Sequence, residues 1–166
     1  MQYAHGGDIY TYKNLLDFSI NVNPLGPADA VVEAAARSLQ RIGEYPDSQS
    51  RELRNALAEK KGLAAEQFVI GNGAADLLFS LVLAEKPQKA MIVIPAFSEY
   101  EQALKTVGCE ILYHEVKKEN NFRLGTDLTE KITSELDFLF LCSPSNPAGQ
   151  AVEKEFLIKI AEKCEK

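Results

Sequence analysis

Apolar residues recur along this chain in two different rhythms, and the change from one to the other falls near residue 68. Before it the spacing is helical. Val31, Ala35, Leu39 and Ile42 share one face of a helix predicted over 27–42, with Pro27 where a helix can begin and Gly43 as its stop. Leu53 and Leu57 share a face of a second helix, capped by Ser48 or Ser50 and closed by Lys60, Lys61 and Gly62 in the order the helix dipole favours. Between them Tyr45-Pro46-Asp47 reads as a turn. Ahead of both, Leu15 to Ile20 is a short extended piece closed by Asn23-Pro24-Leu25-Gly26. After residue 68, short apolar runs at 67–70, 90–94, 109–116 and 137–142 alternate with helix-like segments at 74–85, 98–107 and 153–165, and 126–133 fits a short helical crossover. Strand-helix alternation of this kind predicts an α/β fold with a mostly parallel sheet. The helix over 74–85 is apolar nearly all round, which predicts a central, buried position.

The strand ends carry the candidate chemistry, because open parallel sheets bind ligands just beyond the carboxyl ends of their strands. Phe138 to Cys142 is a continuous apolar run, as expected of a strand covered on both faces, and it leads into Ser143-Pro-Ser-Asn-Pro-Ala-Gly149. Pro144 and Pro147 restrict the backbone and Gly149 permits the turn out, so Asn146 leaves the sheet in a defined direction. An ordinary strand-to-helix loop would look similar. Gly71-Asn-Gly-Ala-Ala-Asp76 stands between a strand-like run and the apolar helix, where free backbone N–H groups and the helix dipole favour an anion. Glycines making only a tight turn are the alternative there. A dinucleotide fingerprint is broken by Asp76 at its third glycine position, and the lysine-bearing phosphate loop is absent. Phe97 follows another strand and can stack on a flat ring, or simply fill the core. Tyr45 and His5 offer a phenol and an imidazole in exposed settings.

Composition narrows the classes. With 166 residues, 46% of them hydrophobic, and no low-complexity stretch, one compact unit is expected. A net charge of −6 argues against a nucleic-acid or anionic-membrane surface, so any phosphate must be bound locally. No apolar run approaches the roughly 20 residues of a membrane span, and Met1 is followed by a polar stretch, so a cytoplasmic protein is expected. Cys109, Cys142 and Cys164 lack metal-like spacing and read as buried free thiols; with only His5 and His114, no metal site is expected.

Taken together, Ala4-His-Gly-Gly7, Leu16-Asp-Phe-Ser-Ile-Asn-Val-Asn-Pro-Leu-Gly26, Tyr45-Pro-Asp47, Gly71-Asn-Gly73, Ala90 to Pro95, Phe97 to Tyr100 and Ser143 to Gly149 give a resemblance that spans essentially the whole chain. It resembles the amino-terminal half of a fold-type I pyridoxal-phosphate enzyme of the aminotransferase class I/II superfamily, and within it is similar to the threonine-phosphate decarboxylases of cobalamin synthesis. The resemblance implies an arm and first helix over 1–44 and the first half of the cofactor-binding large domain over 45–166. It implies pyridoxal 5'-phosphate as cofactor, with Gly73, Ala74 and Ala75 around its phosphate, Phe97 on its ring and Asn146 on its phenolic oxygen. It implies a homodimer, Tyr45 reaching the cofactor phosphate of the neighbouring subunit, and an amino-acid phosphate as substrate, with His5 and Asn21 in its pocket. Ala74 and Ala75 depart from the polar residues of related decarboxylases. The family's cofactor-anchoring lysine, its aspartate for the pyridine nitrogen and its carboxylate-binding arginine are expected beyond Lys166, so the chain contains no catalytic residue and is expected to be inactive alone. Decarboxylation of threonine phosphate, transamination of a histidinol-phosphate type of substrate, and a non-catalytic binding module are the three readings that follow.

Overall fold

The structure, a computed structural model, describes residues 6–13 and 15–165. The chain divides into two units, Met1–Phe68 and Val69–Lys166, where composition had suggested one. The physical distinction is burial: among the described residues, every buried side chain belongs to the second unit.

In the first unit, helix α1 runs over Asp29–Ser38 and tightens into a 3-10 turn at Leu39–Arg41, so the helix expected over 27–42 is shorter at its start. Helix α2, Arg51–Lys61, ends as expected, with Gly62 at φ +66° donating to the Ala58 carbonyl. Its start differs. Ser50 occupies the cap position without a side-chain bond, and the Asp47 carboxylate caps instead, accepting from the Arg51 amide at 2.8 Å and the Gln49 amide at 3.1 Å. The carboxylate takes one donor on each of its oxygens, and its negative charge favours the positive end of the helix.

The second unit is a three-layer α/β arrangement. Helix α3 (Gly73–Glu85) leads to strand β1 (Lys89–Ile94); helix α4 (Ser98–Thr106) leads to β2 (Glu110–Glu115); a single turn, α5 (Leu128–Lys131), leads to β3 (Phe138–Phe140); helix α6 (Lys154–Cys164) follows. The three strands are parallel in the order β2-β1-β3, with Ile92 opposite Tyr113 on one side and Phe140 on the other. Alternation along β1 sends its side chains to two cores. Ala90 and Ile92 join Val82 of α3, Ala103 and Leu104 of α4, Cys109 and Phe140 on one face. Met91 joins Leu128 and Ile132 beside α5 and Ile160 of α6 on the other.

Three expectations are corrected. No strand forms at 67–70: Phe68 is extended at φ −110°, ψ 128°, but an extended segment becomes a strand only where another chain accepts its ladder bonds, and none of the three strands does. Helix α3 is not buried all round. It buries Val82 and half-buries Leu78 and Phe79, while Leu81 and Leu83 remain 45% and 50% exposed, because the described residues cover it from one side only. Of the thiols, Cys109 is buried and Cys142 half-buried, but Cys164 is exposed at the end of α6. The free edge of β3 and α6 flank a groove of about 630 Å³ lined by Leu136, Leu139, Leu141, Leu157 and Ile160. No helix among the described residues is long and apolar enough to cross a membrane.

Candidate functional site

Chain direction determines which loops meet. Because β1 and β3 are adjacent and parallel, the segments after them, Pro95 to Phe97 and Leu141 to Gly149, leave the sheet at the same edge. Helix α3 joins β1 through the short turn 86–88 and packs on the same core, so it runs back along the strand and its first residues lie at that edge too. The 13 residues of α3 span about 20 Å, which matches the roughly 20 Å of the six-residue β1. The structure thus gathers Gly73, Ala74, Ala75, Phe97 and Asn146 at the carboxyl edge. The groove beside α6, by contrast, extends to the amino end of β3, with Thr133, Ser134 and Asp137 in its wall, and is a different place.

Gly73, Ala74 and Ala75 are the first three residues of α3, where backbone N–H groups have no carbonyl one turn earlier to bond, and all three are exposed. Gly73 has φ +88°, a conformation that side-chain-bearing residues rarely adopt. Gly71 sits in tight space: a Cβ there would lie 2.7 Å from Leu77 Cδ2 and 2.9 Å from Asp76 Oδ2, so both side chains would have to shift. Asp76, in the first turn of α3, accepts from the Asn72 amide at 2.8 Å and so holds the entry turn.

Phe97 precedes α4 at its N-cap position and is half-buried. Its ring meets Tyr100 edge-on at 6.1 Å, and Tyr100 in turn stacks on Phe140 at 4.5 Å with only 12° between the planes. Asn146 is exposed at the tip of a loop closed by its own hydrogen bonds. The Gly149 amide donates to the Ser145 carbonyl at 2.7 Å, the Ser145 amide to the Gln150 carbonyl at 2.8 Å, and the Val152 amide to Ser143 Oγ at 3.0 Å. The peptide bonds before Pro95, Pro144 and Pro147 are cis. Sequence reasoning credited the prolines and missed the two serines. It also missed Tyr100, whose hydroxyl pKa is pushed up to about 12, first by burial and then by the neighbouring Cys142 thiol. The three-residue spacing from Phe97 was the available signal, since such pairs meet at a helix start.

The remaining candidates belong to the first unit. Tyr45 is fully exposed just before the Asp47 turn, and Asn21 is exposed. Asn23 closes its own turn, its side-chain amide donating to the Gly26 carbonyl at 2.7 Å. His5 lies outside the described residues.

A second polar cluster sits apart from these loops. His114 of β2 is only 2% exposed, with its Nδ1 3.0 Å from Lys131 Nζ, and Lys131 also reaches Asp127 at 3.4 Å. Burial first, then the Lys131 charge, push the imidazole below its usual value of 6.5, against a smaller opposing pull from Asp127. A histidine with a lowered folded value contributes stability that is fully present above about 6.5 and lost as pH falls toward the folded value, because the unfolded chain binds the proton first. The urea midpoint is therefore expected to drop between pH 7.5 and 5.5, and His114→Gln to flatten that drop. Equal slopes in the two proteins would contradict this assignment.

A parallel sheet with a helix start, an aromatic ring and a side-chain amide at its carboxyl edge has the groups that a flat, phosphate-bearing ligand calls for. This chain belongs to the aminotransferase class I and II family, whose pattern it matches over residues 13–166. It is 38% identical to threonine-phosphate decarboxylase of Salmonella typhimurium over 169 residues, covering 97% of this chain and 46% of that protein. It is 35% identical to histidinol-phosphate aminotransferase of Methanococcoides burtonii, covering 90% of this chain and 42% of that one. In fold it is similar to the crystal structure of histidinol-phosphate aminotransferase from Clostridium acetobutylicum, with TM-score 0.79, 26% identity, and coverage of 91% of this chain and 44% of that one. The chain spans about half the length of the curated relatives it matches.

Proposed function

We propose that this chain forms the amino-terminal half of a pyridoxal-phosphate enzyme that decarboxylates an amino-acid phosphate, with threonine phosphate as substrate and aminopropanol phosphate as product. The observation that carries the reading is the 38% identity to threonine-phosphate decarboxylase of Salmonella typhimurium along 97% of the chain. The family works with pyridoxal phosphate, and the exposed amides, aromatic ring and terminal amide at the carboxyl edge fit its phosphate, ring and phenolic oxygen. When bound, the cofactor supplies an electron-withdrawing ring that receives the electron pair left on the α-carbon as carbon dioxide departs.

In this reading the backbone N–H groups of Gly73, Ala74 and Ala75 bind the phosphate and, without hydroxyl side chains at 74 and 75, do so alone. Phe97 orients the ring by stacking and excludes water from one of its faces. Asn146 donates its side-chain amide to the phenolic oxygen. His5 and Asn21 hold the substrate phosphate, and Tyr45 serves the neighbouring subunit of a homodimer. Residues 1–44 act as arm and first helix, and 45–166 as the first half of the large domain.

The 35% identity to a histidinol-phosphate aminotransferase favours transamination as the second reading. An assay separates them: a protein joining this chain to the remainder of its reading frame, supplied with pyridoxal phosphate, is expected to release carbon dioxide from threonine phosphate. Amino transfer from histidinol phosphate without carbon dioxide release would replace the first reading with the second.

A further inference from the structure

We infer that Ser19 is a positioning residue that clamps Gly6-Gly7 onto the 17–21 segment and so holds the two parts of the substrate-phosphate pocket together, an inference that rests on the proposed roles of His5 and Asn21. The clamp lies within the first unit, where no described side chain is buried, so burial does not set the arrangement. Hydrogen bonds set it instead. The Gly7 amide donates to Ser19 Oγ at 2.9 Å across twelve residues of sequence, and Ser19 Oγ donates in turn to Asp17 Oδ1. The same Asp17 oxygen accepts from the Ser19 amide at 2.8 Å, which fixes the direction of the hydroxyl. The approach leaves no room for a side chain at residue 6: a Cβ there would collide with the Ser19 carbonyl oxygen and lie 2.5 Å from its Oγ and 2.7 Å from its Cβ.

Two pieces that stand apart in the sequence, the His-Gly-Gly start and the Asp-Phe-Ser-Ile-Asn run, thus meet at one point. Gly6 adjoins residue 5 in the chain, and Ser19 precedes Asn21 by two residues. The chain leaves the clamp on both sides through closed turns. Asp8 Oδ1 accepts from the Thr11 amide at 2.9 Å, while the Asn23 side chain accepts from the Leu25 amide at 3.1 Å and donates to the Gly26 carbonyl at 2.7 Å. Two donors that must meet one phosphate gain from being held in fixed relation before it arrives, because less freedom is then lost on binding. A serine hydroxyl has a single proton, and Ser19 gives it to Asp17, so it has none for a substrate phosphate. Ser19 therefore acts through the backbone it holds and touches no ligand in this reading.

The test uses Ser19→Ala in the protein that joins this chain to the remainder of its reading frame, with threonine phosphate and threonine as the pair of probes. KM for threonine phosphate is expected to rise about three- to ten-fold, the size of effect one lost hydrogen bond gives, while KM for threonine stays at the wild-type value. The Gly7 amide is expected to exchange with solvent faster by a similar factor, and the Ile92 amide in the central strand to be unchanged. Asp17→Ala is expected to reproduce the selective loss, and the double variant to lose no more than the larger single one, because both break the same clamp. Gly6→Ala keeps every hydrogen-bonding group of the clamp but forces the two segments apart, and the same selective loss is expected from it. Equal rises of KM for threonine phosphate and threonine, or a Gly7 amide at the wild-type rate in S19A, would overturn the inference. Turnover of histidinol phosphate in place of threonine phosphate would instead overturn the decarboxylase reading. The comparison would then be made with histidinol phosphate and histidinol, where a loss confined to the phosphate-bearing probe supports the clamp and an equal loss on both overturns it.

Discussion

Leu104→Ala is expected to destabilise the second unit by about 2–5 kcal/mol, the range measured for removing a fully buried leucine where neighbours relax only in part. Leu104 is 0% exposed and lies at the centre of the core that joins α3, α4 and the sheet, among Val82, Ala90, Ile92 and Cys109. Those neighbours come from rigid elements, so the cavity has little means of closing. Against a total of about 5–15 kcal/mol for an ordinary domain, the loss is large enough to populate unfolded chain without denaturant. Urea unfolding followed by far-ultraviolet circular dichroism would read it as a lower midpoint with an unchanged slope. Leu81→Ala serves as the control: on the open side of α3 and 45% exposed, it is expected to shift the midpoint far less. Equal effects at the two positions would mean that a further layer covers the apolar face of α3 in solution.

Gly73→Ala carries the largest expected effect on ligand binding. At φ +88° a β-carbon is strained, at about 1–3 kcal/mol, although no neighbour lies within 4 Å to clash with it. The backbone is expected to relieve that strain by rotating the peptides on either side of residue 73, which turns the Gly73 and Ala74 amides away from a common point. Hydrogen bonds from such amides to a charged group contribute about 1.5–3 kcal/mol each, so losing one is expected to raise the dissociation constant for pyridoxal phosphate about ten- to hundred-fold. Absorbance titration of the two proteins would measure it, with thermal unfolding run alongside to separate lost folding from lost binding. Unchanged affinity in a folded G73A protein would remove the α3 start from the site.

The site was legible in the sequence to the extent that its parts are local. Gly71-Asn-Gly73 before an apolar helix announces free helix-start amides, and an apolar run ending in Ser-Pro-Ser-Asn-Pro announces a presented asparagine, because both depend on neighbouring residues along the chain. Tyr100 escaped because its spacing from Phe97 shows a pair at a helix start but not what lies beneath that pair. Phe140, on which its ring stacks, is forty residues away, and only the pairing of β1 with β3 brings the two together. The same holds for His114, which reads as an ordinary strand residue until α5 sets Lys131 against it.

Local patterning, then, determined by itself the α/β alternation, the positions of α3, α4 and α6 to within a residue or two, and the glycine turn and asparagine loop at the strand ends, since hydrophobic period and turn chemistry act over a few neighbouring residues. Tertiary structure alone decided which extended segments became strands, which faces of the apolar helices were covered, and which side chains met across the sheet. Residues 67–70 and the open side of α3 show the reason: a strand needs a partner for its backbone, and an apolar face needs a layer to cover it, and both are supplied by chain remote in sequence.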